Sequence, residues 1–288
     1  MQSTNLIVTT LLPVSLAIIM FGLGLSLTIK DFTRVILYPK SIILGLICQM
    51  LLLPALALVV CKVFDLTPVQ SLGVMILAAS PGGITANLYS HLSHGDIALN
   101  LTLTAINSVL AAFSLPLIVN LSANYFSPGE AGIGLQFAKT MEVFAIVLIP
   151  VGIGMFVNSM KPAFSKKAEK PVKIFSFIVL IGLIVSAILQ QKDQLLTSFS
   201  QVGVAIIVFN VASLAVGYIL PMVLKVSRAE SIAIAMEVGI HNGTLAIYVA
   251  LTLLKSFDLA LPAALYSIVM FFTAGIFSFI LVKQHKAK

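Results

Sequence analysis

The chain has 288 residues, of which 59% are hydrophobic and 9% are charged. Soluble globular chains carry about 25% charged residues, whereas the mean hydropathy of this chain is +1.11. This composition excludes a water-soluble fold and a separate catalytic module. We therefore predict a single all-α polytopic membrane domain over residues 1–288.

The formal net charge of +7 would suggest a nucleic-acid partner in a soluble protein. Here the basic residues lie at the predicted helix ends and in loops, so we expect the lipid bilayer as a partner and no nucleic acid. Cys48 and Cys61 share one apolar segment, which favours buried thiols over a disulfide.

Apolar runs of about 20 residues, long enough to cross about 30 Å of hydrocarbon, recur along the chain. We predict nine membrane-spanning segments, which are Leu6–Leu27, Ser41–Val63, Val69–Leu92, Ile97–Leu121, Val143–Val157, Ile174–Leu189, Val202–Leu224, Ser231–Leu254 and Leu259–Val282. The longest polar interval, Asn158 to Lys173, is predicted to be a loop.

Alternate loops between these segments are basic. One set holds Lys30, Arg34, Lys40, Lys161, Lys166, Lys167, Lys170, Lys173, Lys225, Arg228, Lys283, Lys286 and Lys288, whereas the other holds only Lys62, Lys192 and Lys255. Cytoplasmic loops of membrane proteins are enriched in lysine and arginine. The pattern predicts an outside N-terminus and a cytoplasmic C-terminus.

Two predicted spans are interrupted near mid-membrane, the third at Pro81, Gly82 and Gly83 and the eighth at Gly239. The interrupted spans run in opposite directions, which is typical of an inverted repeat with its binding site at the breaks. The first repeat would cover about residues 6–121 and the second about 132–284. The first has one helix fewer, as though its initial helix were missing. This organisation indicates a secondary transporter.

Glu237 is the one acidic residue near the middle of a predicted span, where a charge costs at least about 2.5 kcal/mol. Since no lysine or arginine lies deep in another span, a bound cation or a proton would offset this charge. A protonated structural carboxyl that hydrogen-bonds to a neighbouring helix is the alternative.

Other polar residues in the spans leave two interpretations open. Asn100, Thr104 and Asn107 share one helical face, where they could bind a hard cation or hold helices together. Gln49 is likewise a ligand or an interhelical hydrogen-bond partner. His241 is a proton acceptor or a neutral histidine bonded to a carbonyl.

Three separated motifs resemble the bile acid:sodium symporter family, especially its bacterial members. They are Ile18 to Leu25, Pro81-Gly82-Gly83 with Asn87, and Glu237-Val238-Gly239 with Asn242. The resemblance implies ten helices, or nine without the first. It also implies a panel domain and a core domain that contains two crossing discontinuous helices.

The resemblance further implies two sodium sites and a substrate site, with Na⁺ as the coupling ion and no catalytic residue or other cofactor. The first sodium site would use Asn87, Asn100, Thr104 and Glu237, and the second Gln49, Glu237, His241 and the carbonyls of Val238 and Ile240. Thr85, Asn242 and Gly243 would meet the substrate, beside Met270 and Phe271. Ala86 and Asn100 replace serines of the family, and His241 replaces a glutamine, so the second site could be weakened, lost or replaced by protonation.

These features predict sodium-coupled symport of an organic anion by alternating access. The substrate would be bile acid-like or a small carboxylate such as pantoate. A proton-coupled or uncoupled organic anion carrier is the alternative, which His241 keeps open. An intramembrane enzyme would need a nucleophile with its base or a metal cluster, and the sequence offers neither, so we do not expect an enzyme. A channel would need a continuous polar path, whereas the polar residues here cluster around the two breaks. We expect a bacterial inner membrane location and a monomer or weak oligomer.

Overall fold

The computed structural model describes residues 10–128, 135–190 and 192–286, and every regular element in those ranges is a helix. The start of the first predicted span, part of the boundary between the repeats and Lys288 lie outside these ranges. The helices are α1 Leu12–Ser26, α2 Ile29–Thr33, α3 Pro39–Val63, α4 Pro68–Ala79, α5 Ile84–Leu92, α6 Ile97–Phe126, α7 Phe137–Met160, α8 Pro162–Gln190, α9 Lys192–Val223, α10 Arg228–Gly239, α11 Gly243–Leu253 and α12 Phe257–Lys286.

Several of these helices have the length and hydropathy to cross a membrane. Within the described ranges five qualify, namely α3, α6, α7, the part of α9 from Val202 to Val223, and α12. Helix α1 qualifies together with the adjoining segment Ile29–Ile36, with a 74° bend between them. The chain is therefore a polytopic helical membrane protein, as its composition predicts.

The predicted loop from Asn158 to Lys173 is wrong. Helix α7 continues to Met160, and α8 begins directly afterwards at Pro162. Proline is well tolerated in the first turn of a helix. The lysines, alanines and glutamate that follow are good helix formers, so most of this polar interval is helical.

Both interrupted spans begin with a capping box. Thr67 caps α4 and Ser227 caps α10, each in a capping box with a glutamine or glutamate three residues later. Helix α4 then ends at Ala79, just before Pro81, and α10 ends at Gly239. The capping residues, Pro81 and Gly239 thus account for where both half-helices begin and end.

The two breaks lie in the protein interior. Residues 71–83 are all buried, and so are residues 231–250. Helix α10 packs on α9, α6 and α5, whereas α4 packs on α12 and α6. Non-helical backbone at membrane depth is tolerated where protein surrounds it, so this packing permits both interruptions.

Candidate functional site

The two breaks lie side by side and hydrogen-bond to each other. The N–H of Gly83 donates to the carbonyl of Ile240 at 2.7 Å, and the N–H of Asn242 donates to the carbonyl of Pro81 at 2.9 Å. Gly82 and His241 thus form an antiparallel pair. This pairing satisfies backbone groups that lost their helical partners where the chain unwinds.

Glycine is required on one side of this pairing. A Cβ added at Gly83 would lie 2.9 Å from the carbonyl oxygen of His241, and one added at Gly82 would overlap the carboxylate of Glu237. The two glycines therefore allow the first break to approach both the second break and the buried acid.

Glu237 lies in the last turns of α10 and is 0% exposed. Its Oε2 accepts a hydrogen bond from the hydroxyl of Thr104 at 2.6 Å, and its Oε1 accepts one from the side-chain amide of Asn107 at 2.9 Å. The backbone of Gly82 lies directly against the same carboxylate. Within the described ranges Glu237 forms no ion pair. Neutral donors leave the charge of a buried carboxylate uncompensated, which favours a bound cation or a proton at this position.

Asn100 and Asn87 lie on two helices that pack against α10. The side-chain amide of Asn100 donates to the carbonyl of Ala233 at 2.7 Å, one helical turn before Glu237. The Oδ1 atoms of both Asn87 and Asn100 are buried without a hydrogen-bond partner. Neither residue hydrogen-bonds to Glu237 in the part of the chain that the structure describes.

Gln49 and His241 meet at one carbonyl of the first break. Gln49 lies in the π-helical turn Cys48–Leu52 of α3, and its amide donates to the carbonyl of Ser80 at 2.9 Å. Nδ1 of His241 lies 3.2 Å from the same oxygen. Because a carbonyl only accepts, Nδ1 carries a hydrogen. Oε1 of Gln49 and Nε2 of His241 are left as buried acceptors without a hydrogen-bond partner.

The carbonyls at the end of α10 differ in their partners. That of Ile240 accepts from Gly83, as described above, and that of Val238 lies near the His241 ring. The carbonyl of Gly239 accepts from the amide of Asn210 at 2.8 Å and from the hydroxyl of Tyr266 at 2.9 Å. Gly239 is therefore held by side chains of α9 and α12.

Sequence reasoning missed several residues that hold the second break in place. Asn210 on α9 and Tyr266 on α12 are buried polar residues in largely apolar helices, and Thr273 donates to Oδ1 of Asn210. Phe209 and Tyr266 flank the His241 ring, with centroid distances of 6.4 Å and 5.1 Å. The only signal in the sequence was an asparagine in the middle of a predicted span.

The residues predicted to meet a substrate lie near the two half-helices that follow the breaks. Asn242 caps α11, since its Oδ1 accepts from the N–H of Leu245 at 3.0 Å, and Gly243 packs against Ser267. Thr85 is half-buried in the first turn of α5.

Met270 is buried on α12, and the adjoining Phe271 stacks on Tyr89 with a centroid distance of 6.5 Å. The Tyr89 hydroxyl donates to the carbonyl of Phe271 at 3.0 Å. Phe271 thus belongs to the contact between α12 and α5, the half-helix that carries Thr85 and Asn87.

Discontinuous helices whose breaks meet beside a buried polar site are found in many secondary transporters, a class of polytopic membrane proteins. The profile of the sodium bile acid symporter family matches residues 13–198 of this chain. The chain therefore belongs to the sodium bile acid symporter family, which confirms the resemblance carried by its motifs.

Relatives extend this similarity over most of the chain. It is 29% identical over 264 residues to the uncharacterized sodium-dependent transporter YocS of Bacillus subtilis, covering 91% of this chain and 79% of that protein. It is 28% identical over 243 residues to the human ileal sodium/bile acid cotransporter, covering 83% and 68%.

A third relative is the probable sodium/metabolite cotransporter BASS1, chloroplastic, of Arabidopsis thaliana. The identity is 28% over 263 residues, which cover 88% of this chain and 62% of the plant protein. The chain thus spans less than two thirds of the length of this plant relative.

Proposed function

We propose that this protein is a secondary active transporter that couples the entry of Na⁺ to the uptake of an organic anion by alternating access. The observation that carries this proposal is the carboxylate of Glu237, which is fully buried at the crossing of the two breaks and held by neutral donors. Sodium would neutralise this charge and organise the unwound segments. Its downhill entry would then drive transport.

The proposed architecture has nine spans in two inverted repeats, at about residues 6–121 and 132–284. In it a core domain with the crossed helices moves against a panel domain. Each of the nine apolar segments corresponds to one described helix or to one interrupted pair, which supports this count. Rocking of one group of helices around a fixed central site is a common route to alternating access.

The first proposed sodium site consists of Asn87, Asn100, Thr104 and Glu237. Buried and unpartnered Oδ1 atoms of Asn87 and Asn100 support it, since hard cations take oxygen ligands.

The second proposed site consists of Gln49, Glu237, His241 and the carbonyls of Val238 and Ile240. The unpartnered acceptors of Gln49 and His241 support it, although an imidazole nitrogen is a poorer ligand for sodium than an oxygen.

The proposed anion site lies at the N-termini of α5 and α11, where Thr85, Asn242 and Gly243 would meet the acidic group. The N-terminal end of a helix favours negative charge because its first N–H groups lack helical partners. Met270 and Phe271 would give the cavity an apolar wall, which suits a bile acid-like anion or a small carboxylate such as pantoate.

The proposed location is a bacterial inner membrane, with the N-terminus outside, the C-terminus in the cytoplasm and a monomer or weak oligomer in the bilayer. Charge supports this orientation, since Lys30, Lys40, Lys161 and Lys225 are all exposed on the side predicted to be cytoplasmic.

Thermal unfolding of the purified protein tests the proposal. Both cysteines are buried, so a thiol-reactive fluorophore reports unfolding in a chain without tryptophan. We expect Na⁺ to raise the unfolding temperature where K⁺ at equal ionic strength does not, and one class of organic anion to raise it further only with Na⁺. Shifts in unfolding temperature that are independent of Na⁺ but change with pH would favour the proton-coupled carrier instead.

Two matched variants of α10 sharpen this test. Glu237→Gln should abolish the Na⁺-dependent shift because it removes the charge and keeps the shape of the side chain. Glu230→Gln makes the same change at the start of the helix, where glutamine still supports the capping box, and should keep the shift. A full response to Na⁺ in the Glu237→Gln protein would remove the central role of this residue.

A further inference from the structure

Asn107 contacts the buried carboxylate directly, yet it belongs to neither sodium site proposed above. It is 0% exposed on α6, one turn after Thr104. Its Nδ2 donates to Oε1 of Glu237 at 2.9 Å, whereas its Oδ1 is buried without a hydrogen-bond partner. A buried amide oxygen without a protein partner is costly, so a ligand that meets it would stabilise the site.

The two ends of this amide suit two states of the site. Without a cation, the NH₂ group donates to the carboxylate and offsets part of the cost of burying its charge. With a cation beside Glu237, that NH₂ group would point at a positive charge and repel it. Rotation of the amide about its last side-chain bond exchanges the two ends and presents Oδ1 instead, since nitrogen and oxygen have nearly the same position and size.

The Thr104 hydroxyl can also change its hydrogen-bond partner, at Oε2 of Glu237. This hydroxyl lies 2.6 Å from Oε2 of Glu237 and 3.0 Å from the carbonyl of Asn100. One hydroxyl hydrogen serves one of these acceptors at a time. When it turns to the carbonyl of Asn100, the oxygen of Thr104 is free to face a cation.

We propose that Asn107 is a sodium ligand whose amide reverses when the ion binds. It donates to Glu237 in the empty site and coordinates Na⁺ through Oδ1 in the occupied one. This assignment rests on the proposed function, because it takes Na⁺ as the ion that meets Glu237.

A purely structural role for Asn107 makes the opposite prediction. If Asn107 only donates to Glu237, its removal leaves the carboxylate with fewer partners in the empty protein, and Na⁺ would bind equally well or more tightly. If Asn107 is a ligand, its removal weakens Na⁺ binding. The direction of the change in Na⁺ affinity therefore separates the two roles.

The experiment is a Na⁺ titration of the unfolding temperature, with K⁺ held to constant ionic strength, on wild type, Asn107→Leu, Asn107→Ser and Ser108→Ala. Leucine has a similar shape without donor or acceptor, and serine keeps a hydroxyl. Ser108→Ala is the control, since this hydroxyl donates to a backbone carbonyl of its own helix. We expect Asn107→Leu to raise the half-saturating Na⁺ concentration about tenfold or more, Asn107→Ser to raise it less, and Ser108→Ala to match wild type.

An unchanged or lower half-saturating concentration in Asn107→Leu would overturn the assignment while leaving sodium coupling intact. If that variant does not fold, the same comparison applies to Asn107→Ser, for which an unchanged value overturns the assignment. A wild-type protein that does not respond to Na⁺ would refute the proposed function, and the role of Asn107 with it.

Discussion

The backbone of Gly82 lies directly against the carboxylate of Glu237. A Cβ at residue 82 would overlap the carboxyl carbon and both oxygens of that side chain. Replacing this glycine therefore moves either the first break or the acid, and both are fixed by hydrogen bonds on their other sides.

We predict that Gly82→Ala disrupts the site more than it disrupts the fold. The added methyl group displaces the carboxylate from Thr104 and Asn107, so the Na⁺-dependent rise in unfolding temperature should be lost. The control is Gly275→Ala on α12, where a Cβ meets nothing within 4 Å. A Gly82→Ala protein that keeps the wild-type Na⁺ response would show that the close approach is not needed for ion binding.

The second prediction concerns the contact between α1 and α7, which approach through glycines. A Cβ at Gly154 would lie 2.8 Å from both the Cα of Gly24 and the N of Leu25, and would overlap the carbonyl oxygen of Phe21. Because these are backbone atoms, they cannot move aside as a side chain could. We expect Gly154→Ala to destabilise the protein by about 1–3 kcal/mol.

Gly152 provides a matched control on the same helix. A Cβ there meets nothing within 4 Å, and alanine favours helix more than glycine does, so Gly152→Ala should leave stability unchanged or raise it slightly. Both variants can be compared by thermal unfolding at one Na⁺ concentration. Equal unfolding temperatures would contradict the close packing of α1 on α7.

The third prediction concerns the carbonyl of Gly239, which accepts from both Asn210 and Tyr266. Either donor alone still satisfies this oxygen, so Tyr266→Phe should lower the free energy of unfolding by only about 1 kcal/mol. Asn210→Ala should lower stability more, because it also removes the hydrogen bond from Thr273, whose hydroxyl keeps only the carbonyls of Val269 and Met270 in its own helix. The double variant leaves the carbonyl with neither donor.

A double-mutant cycle measures this coupling. We expect the loss of stability in the double variant to exceed the sum of the two single losses, because a buried carbonyl becomes unsatisfied only when both donors are gone. Additive losses would mean that another group replaces the missing donors and that the two side chains do not act together at the break.

Local sequence determined much of the architecture. Long apolar runs predict the helices, because a helix satisfies its own backbone hydrogen bonds in hydrocarbon. Proline followed by two glycines at residues 81–83, and glycine at residue 239, predict both breaks, since proline removes a backbone donor and glycine lowers helix stability. The same reasoning failed between Asn158 and Lys173, where polarity suggested a loop although the residues favour a helix.

Only the tertiary structure decided which polar residues work together. Glu237 stands out in the sequence because a carboxylate is rare within a span, but nothing local indicates that Thr104 and Asn107 donate to it or that Gly82 lies against it. Asn100 and Asn107 belong to one stripe, yet one bonds to a backbone carbonyl and the other to the acid. Hydrogen-bond partners distant in sequence depend on how helices pack, whereas helix formation and helix breaks depend on residues close together in the chain.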